Sequence, residues 1–301
     1  MRLLNRSAPR QVDAHLTYFT TTEANEFRRL VGRSFAGAGR DVAVYPDHVE
    51  DRSGTIFRLW NIGELCRGVN PSDWPDLIED HVRLVTTPAR DLADLSPDEF
   101  ESGLYLRLVE TAAVPDPDSV GYARVVAPGL LEVLSVDLPD SVATPSSEEL
   151  AAHGTIGDLL ARGRDNLRAL LTDVGVRAET VAEGARGRFT EVTGDSVFTA
   201  SLALLLPELV ERFTGEDDWG RGFLVAVPSR HRLLYRPIDT ADAAPALEHM
   251  MLSALHGLSE AGPLSPDVHW VRNRKWVQVT SSGSGKPRVL RSTGLRDALK
   301  G

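Results

Sequence analysis

The sequence predicts an α+β fold made of repeated strand-strand-helix units, mainly antiparallel sheet with helices packed on it, in two halves. Three observations carry that prediction. Short runs rich in Val, Leu and Ile come in consecutive pairs separated by Gly, Pro and Asp, the pattern of hairpins. Each pair is followed by a stretch whose apolar residues recur at helical spacing. With 301 residues, 42% hydrophobic and 25% charged, the chain is long enough to bury a core without disulfides or metal staples.

The elements follow in order. Thr20 and Glu23 have capping-box spacing, and Ala24, Phe27, Leu30, Val31 and Phe35 then repeat every three or four residues until Gly37 and Gly39. Residues 41–45, the Pro46-Asp47 turn and residues 55–60 read as a hairpin or small meander. Asn70-Pro71-Ser72 caps a second helix with the stripe Trp74, Leu77, Ile78, His81, Val82 and Val85. A linker over 87–97 leads to strands at 104–111, 122–127 and 130–138, and residues 139–153 read as a loop. Thr155 and Asp158 then cap a helix that Gly175 ends.

In the second half, residues 177–182 and 188–193 form a hairpin, and a helical run over 197–213 is broken or restarted by Pro207. A hairpin over 223–227 and 232–238, a helix over 244–258 and strands at 268–273 and 275–280 complete the folded part. The expected organisation is a flexible basic segment at 1–19, an α+β half at 20–175, a second at 176–280 and a flexible basic tail at 281–301. Removing such a tail is expected to leave the melting temperature nearly unchanged.

Charge and composition exclude several functions. With 33 basic and 43 acidic residues, a net charge of -10 and only 6% aromatics, the footprint of a nucleic-acid binder is missing. Arg2, Arg6 and Arg10 interrupt any secretory h-region, and the apolar run at 201–206 is too short to span a bilayer. A cytoplasmic protein without membrane contact is expected. A single cysteine, Cys66, excludes a multi-Cys zinc site and reads as a buried thiol. The basic residues concentrate at both ends, so the body between carries the acidic excess.

Candidate chemistry is sparse. Ser229 and His231 place a hydroxyl and an imidazole beside each other between two strands, but no third orienting group or oxyanion donor is signalled. Pro228 and Ser229 also suit a turn. His81 sits in the Trp74 stripe, where an imidazole more often satisfies one hydrogen bond than performs catalysis. His249 and His256 lie seven residues apart on one helix, about 10 Å along the axis, too far to share a metal without help from an element such as that of His269. Gly283-Ser284-Gly285-Lys286 is no phosphate loop, because Thr280 and Pro287 stand where Gly and Ser or Thr are required. Glu148-Glu149 and Glu216-Asp217-Asp218 read as solvated acids, and Asp195 as a helix cap. No cofactor and no metal site is predicted.

Several stretches carry a family likeness: Arg58-Leu59-Trp60-Asn61-Ile62, Asp165-Asn166-Leu167, residues 194–202, residues 223–234 and Pro263-Leu264-Ser265-Pro266. Together they resemble the YtpQ-like family of bacterial proteins of unknown function, over most of residues 22–280. The resemblance implies a cytosolic location and a shared α+β fold. It brings no reaction and no catalytic residues, and it implies a turn that accepts an acid or amide at the position of His231. The expected function is non-enzymatic protein binding, as a chaperone-like, adaptor or immunity-type module with a protein partner, self-association being left open. The alternatives are a hydrolase using His81, Ser229 and His231 across the two halves, or a small-molecule sensor.

Overall fold

The computed structural model describes residues 11–52, 54–87, 92–114, 116–139, 141–181, 187–215, 220–238, 243–257, 260, 262–282, 287–290 and 293–300. It is an α+β protein whose strand pairs among the described residues are antiparallel. The chain divides into two compact units, Met1–Ala89 and Arg90–Gly301.

In the N-terminal unit, α1 (Thr21–Gly37) starts with the Thr20/Glu23 capping box and buries Phe27, Leu30, Val31 and Phe35. Strands β1 (Val42–Val44), β2 (His48–Asp51) and β3 (Ile56–Arg58) form a meander. Helix α2 (Trp60–Cys66) follows, and α3 (Trp74–Thr86) packs its Trp74, Ile78 and Val82 stripe against α1. The segment at 11–19 was expected to be loose but is part of this core. Leu16 and Phe19 are buried among Phe27 and Trp74, and Asp13 pairs with Arg28 at 2.8 Å. Residues 1–10 lie outside the described residues.

The C-terminal unit opens with α4 (Pro97–Gly103) and a four-stranded sheet of β4 (Leu104–Glu110), β5 (Arg124–Ala127), β6 (Leu130–Leu138) and β7 (Ser141–Ala143), with β6 pairing all three others. Helices α5 (Ser147–Ala151) and α6 (Ile156–Ala169) follow. A six-stranded sheet comes next, ordered β13-β12-β10-β11-β9-β8, from β8 (Arg177–Val181), β9 (Phe189–Thr193), β10 (Phe223–Ser229), β11 (Arg232–Pro237), β12 (Val268–Arg272) and β13 (Lys275–Gln278). Between β9 and β10 run a 3-10 helix, Thr199–Leu205, and α7 (Leu206–Thr214). Helix α8 (Ala243–Gly257) links β11 to β12.

Strand β10 is buried on both faces, which is why its sequence is an unbroken apolar run rather than an alternating one. Phe223, Val225 and Val227 face the large core shared with Leu108, Leu134, Leu167 and Leu205. Leu224 and Ala226 face a separate core under Met250 and Ala254 of α8. The division expected between residues 175 and 176 therefore falls inside one unit, because residues from both sides of it share that large core.

Three local expectations need correction. The linker expected over 87–97 holds a 3-10 turn at Leu92–Asp94 and runs into a helix that was not expected, α4, whose Ser96/Glu99 capping box satisfies the first-turn amides. The expected loop at 139–153 contains β7 and α5, the latter started by a second such box, Ser146/Glu149. The expected flexible tail is packed: β14 (Thr280–Ser281) pairs with β15 (Arg288–Val289), and α9 (Thr293–Lys300) buries Leu295 beside Leu247 and Val279. Gly294 permits this, since a Cβ there would fall 2.9 Å from the Trp270 ring. Residues 283–286, the phosphate-loop lookalike, lie outside the described residues. Among those described, no helix is long and apolar enough to cross a membrane.

Candidate functional site

The β10–β11 turn brings Ser229 and His231 close in sequence but commits them to different partners. Ser229 is fully buried, and its hydroxyl donates to Glu260 Oε2 at 2.7 Å. The other Glu260 oxygen accepts from Arg232 Nη1 at 2.7 Å, and Arg232 also bonds Ser253 and Glu191. His231 faces Gly194 and Arg230 instead. With its proton on Nδ1 donated to the Gly194 carbonyl at 3.2 Å, its Nε2 lone pair accepts from Arg230 Nε at 3.0 Å. Burial first, and the Arg230 charge second, hold its pKa below the ordinary histidine value. An imidazole so engaged has no free lone pair to take a proton from a serine.

The other residues singled out in the sequence scatter. His81 is half-buried on α3 in the N-terminal unit, its pKa lowered by burial. His256 bonds the Leu252 carbonyl of its own helix at 2.9 Å, and His249 faces the Gly187 carbonyl at 3.4 Å. His269 is fully buried beside Trp276, and burial pushes its pKa down to about 4. Cys66 is buried, its thiol pushed up to about 11 by burial. Glu149 serves as a cap, Ser196 rather than Asp195 accepts the Phe198 amide, and Glu216-Asp217-Asp218 lies outside the described residues. Among the described residues no group of three His, Cys, Asp or Glu side chains is placed to hold a metal ion.

A pocket in the C-terminal unit has more definite binding chemistry. It has a volume of about 390 Å³. Its floor is apolar, from Ala203 and Leu204 of the 3-10 helix, Leu206 and Pro207 at the start of α7, Phe223 of β10, Val271 of β12 and Trp276 of β13. Its charged lining is mainly arginine: Arg124 on β5, Arg164 on α6 and Arg274 at the β12–β13 turn, while Arg272, also at its edge, follows Val271 on the strand and shares the opposite face with Trp270 and Val277.

Local backbone geometry sets that lining. The turn residues Asn273 and Arg274 both have positive φ, 51° and 61°, as a two-residue hairpin of the primed type requires. Asn tolerates this conformation, whereas Arg274 adopts it at a steric cost. Gly222 has φ +85° and lets the preceding loop press on the hairpin, because a Cβ there would lie 2.3 Å from the Val271 carbonyl oxygen. Trp270 Nε1 donates to the Arg221 carbonyl at 2.9 Å from the same hairpin.

The charges in this lining are unbalanced. Arg124 pairs with Glu132, and the one lining carboxylate, Glu208, pairs with Arg168 at 3.5 Å. Among the described residues, no carboxylate pairs with Arg164, Arg272 or Arg274. Sequence reasoning missed this site because its arginines come from separate elements and the overall charge is acidic. The one local signal was the basic run Arg272-Asn273-Arg274-Lys275 at a predicted hairpin turn. Compared with protein-family models, curated proteins and solved structures, the chain matches none.

Proposed function

We propose that this chain works by binding, and that its C-terminal unit holds an anionic ligand with an apolar body in the arginine-lined pocket. One observation carries the reading: Arg164 and Arg274, without carboxylate partners among the described residues, line a pocket with an apolar floor. Like charges gathered without counter-charge repel, and a ligand anion relieves that repulsion while its body buries apolar surface. A few polar groups over an apolar floor is the usual composition of small-molecule sites.

The net charge of -10 supports a wider reading, a cytoplasmic interaction module that also takes a protein partner. The resemblance to the YtpQ-like proteins belongs to this reading as a proposal about ancestry and adds no reaction. A hydrolase using His81, Ser229 and His231 has less support, since Ser229 is buried on Glu260 and the His231 lone pair is engaged by Arg230.

The test is titration with 8-anilinonaphthalene-1-sulfonate, a fluorescent anion with an aromatic body. One molecule is expected to bind per chain, more weakly as salt rises, with at least tenfold loss in Arg164→Gln/Arg274→Gln. Absence of saturable binding, or binding that the double variant leaves unchanged, would overturn the reading.

A further inference from the structure

We infer that the ligand's head group is a phosphate monoester rather than a carboxylate, and that the ligand is an alkyl or aryl phosphate. The inference rests on the proposed anion-binding role of the same pocket and adds the class of head group. Arg164 and Arg274 line the pocket without carboxylate partners among the described residues, so a monoanion would leave about half of their charge uncompensated. A phosphate monoester carries about -1.5 to -2 at neutral pH and presents three strong acceptor oxygens. Guanidinium is the side-chain group whose planar fork matches phosphate oxygens two at a time.

The lining holds arginine and no lysine, which favours directed recognition over a diffuse positive field. Free inorganic phosphate fits less well. Leu204, Phe223 and Trp276 offer it nothing, and displacing water from an apolar floor is productive only when an apolar body takes its place.

The experiment is isothermal titration of the full chain at pH 7.5 with octyl phosphate, octanoate, octanol and inorganic phosphate. Octyl phosphate is expected to bind at least tenfold more tightly than octanoate and than inorganic phosphate, and octanol not measurably. Arg274→Gln, with melting temperature as a folding control, is expected to reduce the octyl phosphate affinity while changing octanoate less. Octanoate binding as tightly as octyl phosphate would overturn the phosphate assignment and leave the anion-binding reading standing. If none of the amphiphiles binds, both fall.

A second variant, Glu216→Gln/Asp217→Asn/Asp218→Asn, removes an acidic run that shortly precedes Gly222 in sequence. Binding that appears only in this variant would mean that the chain's own carboxylates satisfy the arginines, and would overturn the proposal. Sedimentation with vesicles containing phosphatidic acid, absent with phosphatidylcholine alone, would assign the ester to a lipid. Binding of octyl phosphate without such sedimentation would assign it to a soluble compound, and either result upholds the head group.

Discussion

At the scale of single residues, the side chains that stand out by chemistry in the sequence are not those that stand out by environment in the fold. Ser229 and His231 were conspicuous because they lie two residues apart, yet a β-turn gives each a different partner. Arg274 was inconspicuous, and it combines a positive φ with a place in the pocket lining. A non-glycine residue held in the left-handed region for function predicts a trade-off. Arg274→Gly should stabilise the chain by roughly 0.5–1 kcal/mol in urea unfolding, by relieving that conformation, while weakening anion binding. Loss of stability in this variant would show that the arginine is held for packing instead. His269 predicts a pH effect of definite sign. Its folded pKa of about 4 lies below the ordinary value of 6.5, so the folded state prefers the neutral ring. The unfolded chain takes up the proton first, and stability present above pH 6.5 is lost as pH falls toward 4. Between pH 7.5 and 5, the wild type should lose about 2 kcal/mol more than His269→Phe in matched urea titrations. Equal losses would mean that the ring is hydrated or charged in the fold.

At the scale of elements, legibility tracked how local each element's determinants are. Helices α1 and α3 were readable because a cap and an amphipathic stripe both lie within the element. Pro207 was readable as a fresh helix start, since a proline in the first turn gives up no helical hydrogen bond, though the preceding turns are 3-10 rather than α. Helices α4 and α5 escaped because each is short, and its capping box was masked by neighbouring proline and serine that also suit loops. The C-terminal segment escaped for a different reason: what holds it, Trp270, Leu247 and Val279, is remote in sequence. The corrected expectation is therefore the reverse of a dispensable tail. Leu295→Ala should cost about 2 kcal/mol or more, as for other buried leucines, and deletion of residues 287–301 should lower the melting temperature by several degrees. An unchanged melting temperature would mean that α9 leaves its groove in solution.

At the scale of the whole molecule, the fold class followed from hairpins and stripes, but the division of the chain did not. Domain boundaries depend on which cores are shared, and periodicity records only that a face is buried, not against what. Leu108 and Val225 look like members of different halves, yet they face one core. By contrast Phe27, Ile78 and Trp74 form a core confined to the first 89 residues. Separate cores predict separable unfolding, because a substitution destabilises the cooperative unit that contains it. In calorimetry the chain should show two transitions. Phe27→Ala should lower only one of them, by the 3–5 kcal/mol that loss of a buried phenyl ring typically costs. Octyl phosphate should raise only the other, since a ligand stabilises the unit that binds it, by about 2.7 kcal/mol at a hundredfold excess over Kd. The pairing of the two perturbations is the informative part. If both act on a single transition, the units unfold as one and the separate cores do not amount to separate stabilities. If octyl phosphate raises the same transition that Phe27→Ala lowers while the other stays fixed, its site lies in the N-terminal unit, and the arginine-lined pocket is not where it binds.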